Sequence, residues 1–213
     1  MQTKEPGQRG ILVVIEGIDH AGKSSVVARL PSLLRNSGAE VVVCGELRSP
    51  IADLLRGRAL RELSPFLKTY LFAADRAWTY ENECIPALAR GAVVLWDRYV
   101  DSAIVYRAVE LSTQKSEIDL DFVREINSPF RQPDMTIYID IDTKTSLTRV
   151  AGTDDSEPYD SKFLERVRAE YLALSVEKNY RMVNGMQDRE TVAAEAAAAI
   201  RNFVRQFRRQ PSV

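Results

Sequence analysis

Eight residues near the start of the chain, Gly17-Ile18-Asp19-His20-Ala21-Gly22-Lys23-Ser24, have the types and spacing to hold a polyphosphate. They fit the Gly-x-x-x-x-Gly-Lys-Ser/Thr pattern in full. Its glycines let the backbone curl until several N–H groups point inward, and the helix that follows turns its positive end to the same point. Gly17, His20, Ala21, Gly22, Lys23, Ser24 and Ser25 are therefore the candidate contacts to the phosphates of ATP. Lys23 would set its charge against the β- and γ-phosphates, and the Ser24 hydroxyl would bind Mg²⁺. The chemistry such a set suits is phosphoryl transfer.

Asp97 ends an apolar run, Ala92 to Trp96, and Arg98 follows it directly. Asp97 reads either as a Mg²⁺ acid facing the phosphate loop across the sheet edge or as the cap of the next helix. A cation beside that acid suits an acceptor that is itself phosphorylated. Arg48, Arg56, Arg58, Arg76 and Arg98 are the candidates for holding it. A solvated surface position is the ordinary alternative for each. Phe66, Tyr70, Phe72, Trp78, Tyr99 and Tyr106 lie among them, as core residues or as the flat wall that a base needs.

The elements that must position these groups follow from periodicity. Ile11–Ile15 and Val41–Cys44 are short apolar runs that suit buried parallel strands, and Ala92–Trp96, Met135–Ile141 and the short Tyr180–Val183 add a third, fourth and fifth strand. Helical spacing is expected over Ser24–Leu34, Pro65–Arg90, a stretch leading to Pro133, Thr143–Val150, Ser161–Glu177 and the Ala-rich Arg189–Phe207. This alternation predicts an α/β fold: a three-layer, doubly wound, five-stranded parallel sheet with its ligands at the carboxyl ends of the strands. The whole chain, 1–213, is expected to be one domain, with a mobile acidic segment, the lid, at about 150–160. The basic end, Arg201 to Val213, reads as a solvated helix terminus.

Composition excludes several classes. The 213 residues carry a formal net charge of -1, so polyanion binding is not a main task and no nucleic-acid partner is expected. Two cysteines, Cys44 and Cys84, and one histidine, His20, make neither a disulfide framework nor a soft-ligand metal site. The apolar runs are only strand-length and the N-terminus is polar, so neither a membrane span nor a secretory signal is expected. A cytoplasmic protein is the expectation.

Three segments resemble thymidylate kinases, a family of P-loop nucleoside monophosphate kinases. They are Glu16 to Ser25, Leu71-Phe72-Ala73-Ala74-Asp75-Arg76-Ala77, and Asp97-Arg98-Tyr99-Val100-Asp101-Ser102 with Tyr106 beyond. Pro133-Asp134 adds to the likeness, which runs from about Ile11 to the last helix. The resemblance implies transfer from Mg-ATP to dTMP, giving dTDP, in a homodimer. It implies that Asp19 binds the acceptor sugar, Phe72 stacks on the pyrimidine, and Arg76 and Ser102 bond its edge. Tyr106 would disfavour a ribose, Arg98 would hold the acceptor phosphate, and Asp97 would serve the Mg²⁺ and phosphate centre. Arg149 would lie near the donor base. Lys23, Asp97, Arg98 and Asp19 form the catalytic set; Ser24 and Asp97 form the metal set.

Four departures from the family pattern keep other readings open. Gly45-Glu46-Leu47-Arg48-Ser49-Pro50 stands where an Arg-Glu-Pro-Gly type segment is usual, which bears on Arg48. Neither the phosphate loop nor Gly152–Tyr159 supplies the usual cation: His20, Asp154, Asp155 and Glu157 stand there, so His20, Arg149, Arg166 or Arg168 would have to assist. Val105 and Arg107 flank Tyr106 in place of Ala and Gln, and Ala108–Ile118 lacks glycine. The alternatives are a kinase for another or modified pyrimidine nucleotide, a nucleoside kinase using Glu16 as base, or a nucleotide-binding regulator without turnover.

Overall fold

A computed structural model of the chain describes residues 9–35, 38–56, 62–113, 116, 118–150 and 159–209. Five strands form one sheet: β1 Ile11–Glu16, β2 Val41–Gly45, β3 Val93–Asp97, β4 Met135–Asp140 and β5 Arg181–Asn184. All neighbours are parallel, in the order β2-β3-β1-β4-β5. The order changes direction at β1, which runs through the middle and is buried along its whole length. Ile11, Val13 and Ile15 face one core while Leu12 and Val14 face the other. This period-2 division is what allows helices to cover both faces.

The helices are α1 Lys23–Leu33, α2 Pro65–Thr79, α3 Ile85–Ala89, α4 Val100–Thr113, α5 Leu120–Asn127, α6 Thr143–Val150, α7 Ser161–Glu177 and α8 Arg189–Arg209. The larger core joins Val26 and Leu30 of α1, Val105 and Val109 of α4, Val167 and Tyr171 of α7, and Ala193, Ala196 and Ile200 of α8. The second core packs Cys84 and Ala87 against Trp96, Tyr99 and Phe130. Both cysteines are buried free thiols. Helix starts follow local chemistry: Ser64, Asp119 and Asp160 accept the N–H groups of Leu67, Phe122 and Phe163.

Two details differ from the periodicity. The helical region from Pro65 contains a π turn, Tyr80–Cys84. Pro86 has no N–H to give and its ring clashes with the preceding turn, so the helix widens just before it. The stretch expected to lead to Pro133 is two helices, α4 and α5. Strand register matters most for function. Ile15 pairs with Asp97, and Gly45 pairs with Asp97 on the other side, so three strands end on one rim. The lid expected at about 150–160 falls at 151–158 outside the described residues, as does Arg58.

Candidate active site

β1 delivers its last residue, Glu16, to that rim, and the chain then turns through the Gly-rich loop. Gly17 has a φ of 156°, and a Cβ there would sit 2.7 Å from the Ile139 carbonyl oxygen. Gly22, with φ 92°, caps α1 in the left-handed region that favours glycine. His20 shares that region at φ 56°. The loop closes around its own lysine, since Lys23 Nζ donates to the Ile18 carbonyl at 2.6 Å. Burial, then the nearby Arg98, pushes the Lys23 pKa down to about 8, against the pull of Asp19 and Asp97.

Three contacts fix the loop from outside. Ser146 of α6 donates to the Asp19 carbonyl at 2.9 Å. Arg149 donates to the carbonyls of His20 and Ala21, each at 3.2 Å, and to Gly185 at 2.9 Å. Ser24 Oγ donates to Asp97 Oδ2 at 2.7 Å, while Asp97 Oδ1 is buried with no hydrogen-bond partner among the described residues. A hydroxyl and a carboxylate with a spare oxygen are a donor set for a hard divalent cation. Among the described residues no cluster of three His, Cys, Asp or Glu offers a metal site. Mg²⁺ needs none, because it takes one or two carboxylates and completes its shell with phosphate and water.

Beyond the loop, Arg98 stands in the left-handed region with φ 61°. Its guanidinium pairs with Asp19 and donates to the Tyr106 hydroxyl at 3.3 Å. Burial alone would raise the Asp19 pKa, but Arg98 and Lys23 outweigh it and hold the carboxyl below its usual range. Asp19 is thus kept ionised and Arg98 protonated, an oriented ion pair within reach of the phosphate loop. Phe72 of α2 is half-buried, one helical turn before Arg76.

The remaining candidates occupy more committed positions. Arg76 is fully buried; it donates to Asn127 Oδ1 at 2.6 Å and to Glu46 Oε1 at 3.0 Å, and its Nε has no partner among the described residues. Burial lifts the Glu46 carboxyl to about 7, opposed by Arg76. The Ser102 hydroxyl is bonded to Glu16 at 2.5 Å and lies 2.7 Å from the Tyr171 hydroxyl. Arg48 is exposed and paired with Glu83 at 3.0 Å, outside the Asp19–Arg98–Tyr106 network. Arg168 is bidentate to Asp140 at 2.7 and 2.8 Å, and Arg166 is bound to Ser112. Of the three arginines among the proposed substitutes, Arg149 is therefore the one that touches the phosphate loop, of which His20 is itself a part.

Sequence reasoning missed two positioning carboxylates. Asp75 accepts the N–H groups of Leu47 at 2.7 Å and Ser49 at 3.0 Å, which shapes the loop after β2. Its place beside Arg76 in the quoted segment was the available signal. Glu16 is wholly buried and accepts from Tyr99 N, Ser102 and Tyr171, and burial pushes its pKa up. All its hydrogen bonding is spent on the scaffold, so it is not placed to act as base on a nucleoside hydroxyl.

Comparisons with known proteins agree with this architecture. The thymidylate kinase family model matches residues 15–196. A probable thymidylate kinase of Pyrobaculum aerophilum is 35% identical, covering 91% of this chain and 97% of that protein. The thymidylate kinase of Ruegeria pomeroyi is 32% identical over 90% of this chain and 94% of its own, and that of Clavibacter sepedonicus is 34% identical over 89% and 93%. With its phosphate loop, parallel sheet and near full-length match, the chain belongs to the thymidylate kinase family.

Proposed function

We propose that this protein transfers the γ-phosphoryl group of ATP to dTMP, giving ADP and dTDP. The observation that carries the reading is the shared rim: Lys23 and the Ser24–Asp97 pair stand on one side of the Arg98–Asp19–Tyr106 network, so donor and acceptor phosphates have adjacent cationic seats. The thymidylate kinases it resembles support the same acceptor.

In this reading the loop N–H groups and Lys23 bind the donor phosphates, and Arg149 stiffens the loop toward the donor base. Ser24 and Asp97 would hold Mg²⁺, which when bound would supply positive charge to the transferring phosphoryl group. Arg98 orients the acceptor phosphate for in-line attack, and Asp19 keeps that guanidinium aimed while meeting the sugar. Phe72 offers a ring to the base. Arg76 reaches the base edge with its Nε–H, the donor left without a partner. Ser102 contributes to the wall beneath, and Arg48 joins only on leaving Glu83. The cation for the moving phosphoryl comes from Lys23 and Arg98, with His20 and Arg149 adjacent.

The same reading takes the chain as one domain, 1–213, with its lid at about 150–160, acting in the cytoplasm. No helix among the described residues is long and apolar enough to cross a membrane. A homodimer through α2 is supported by its exposed apolar side chains Phe66, Leu67, Tyr70 and Trp78. Light scattering at twice the 24.0 kDa chain mass tests it.

Products decide the reaction. With Mg-ATP and dTMP, anion-exchange separation should give ADP and dTDP in equal amounts. ATP binding with no dTDP would favour a non-catalytic regulator instead.

A further inference from the structure

The buried charges between α2 and α4 have no part in the transfer step. Glu110, 2% exposed, receives three groups at once. Lys68 Nζ donates to its Oε1 at 3.1 Å, the Tyr159 hydroxyl donates to the same oxygen at 2.9 Å, and Arg107 pairs with Oε2. Burying three side chains of charged type carries a desolvation cost on the order of what a good geometry returns, so stability alone is a weak reason to keep them.

What the cluster does hold is Tyr159. This ring stacks on Phe163 at 4.1 Å and 8°, and lies 5.7 Å from the Tyr106 ring. Lys68 sits 5.9 Å from its centroid. Tyr106 in turn touches Arg98 by its hydroxyl and by its ring face, 5.4 Å from the guanidinium carbon. A continuous line of contact therefore runs from Glu110 through Tyr159 and Tyr106 to the acceptor network.

We infer that Glu110, with Lys68 and Arg107, is a positioning residue for acceptor selection: it fixes Tyr159 behind Tyr106, so that Tyr106 cannot retreat from a 2′-hydroxyl. The inference rests on the proposed dTMP reading and on the role the family resemblance implies for Tyr106, beside the acceptor sugar where a ribose is disfavoured. A ring held by a bond to a buried carboxylate yields little, whereas one held by stacking alone can tilt. The latch thereby adds discrimination against ribonucleotides without touching the reacting atoms.

The test compares dTMP with ribothymidine 5′-monophosphate in the full-length enzyme and in Tyr159→Phe and Glu110→Gln. Tyr159→Phe keeps the ring and cuts only the bond to Glu110, so it remains informative should Glu110→Gln fold poorly. Each variant should narrow the kcat/KM preference for the deoxynucleotide by about 10-fold, the scale of one hydrogen bond to a charged group. The change should lie in KM for the ribonucleotide, with KM for ATP in place. A wild-type enzyme that prefers dTMP and variants that keep the full preference, losing only melting temperature, would overturn the inference and leave the dTMP reading standing. Wild-type failure to phosphorylate dTMP would remove both.

Discussion

Ser24 Oγ and Asp97 Oδ2 lie 2.7 Å apart, so the first turn of α1 is joined directly to the last residue of β3. The pair is separated by 73 residues and meets because β1 and β3 are neighbours in register. Asp97 keeps one oxygen, Oδ1, without a partner among the described residues. Asp97→Asn should lower kcat by about 100-fold or more, because an amide cannot supply the anionic oxygen the cation requires. Its Mg²⁺ titration should shift to higher concentration. Ser24→Ala should move the titration in the same direction with a smaller loss of kcat.

Arg98 combines a left-handed backbone with a planar fork shared between Asp19 and Tyr106. A lysine keeps the charge and loses the fork. Arg98→Lys should raise KM for the acceptor by about 10- to 100-fold, the scale of a lost bidentate phosphate contact. KM for ATP should change little, because the donor phosphates rest on the loop. Steady-state kinetics with each substrate varied separately will resolve the two.

The pH profile should expose Lys23. Its pKa is depressed to about 8 by burial first and Arg98 second. A depressed cation loses its charge as pH rises through that value, and an uncharged amine holds phosphate poorly. The ratio kcat/KM for ATP should therefore be flat below 8 and fall about tenfold per pH unit above it, since that ratio reports the free enzyme. In Lys23→Arg the alkaline limb should vanish from the accessible range. A limb near the ordinary lysine value would contradict the buried position.

Arg76→Ala is a poor probe of base preference, and the structure says why. The guanidinium has no exposure and compensates Glu46, whose side chain is 13% exposed. Deleting it leaves a buried carboxylate and the Asn127 carbonyl unpaired, which should cost about 3–5 kcal/mol of stability. Urea unfolding checks the magnitude. Arg76→Lys, which retains the charge, should lose less.

What could be read from sequence was what lies close along the chain. The five runs became five strands with ends shifted by a residue, and β1 was the clearest because it is buried along its whole length and its first five residues are all apolar. The Gly17-to-Ser24 loop was legible because its function depends on local backbone and a few fixed types. The Glu16 hub was not: Ser102 and Tyr171 reach it from 86 and 155 residues away. Nothing in the local pattern marks a serine as spent on a buried carboxylate rather than facing a ligand. Arg76 met Asn127 and Arg48 met Glu83 for the same reason: long-range partners decide where a long side chain goes. The π turn before Pro86 marks a local conflict that helical periodicity absorbs without a trace.

A competition assay puts the whole reading at risk in a single reaction. Wild-type protein would be given Mg-ATP with equal amounts of dTMP, dUMP, UMP, dCMP, dGMP and thymidine, and the diphosphates formed would be quantified over time. dTDP should appear first and dominate, with thymidine untouched because it brings no phosphate for Arg98. Faster consumption of another monophosphate, or of thymidine, would contradict dTMP as the acceptor while leaving the fold and the phosphate loop as described.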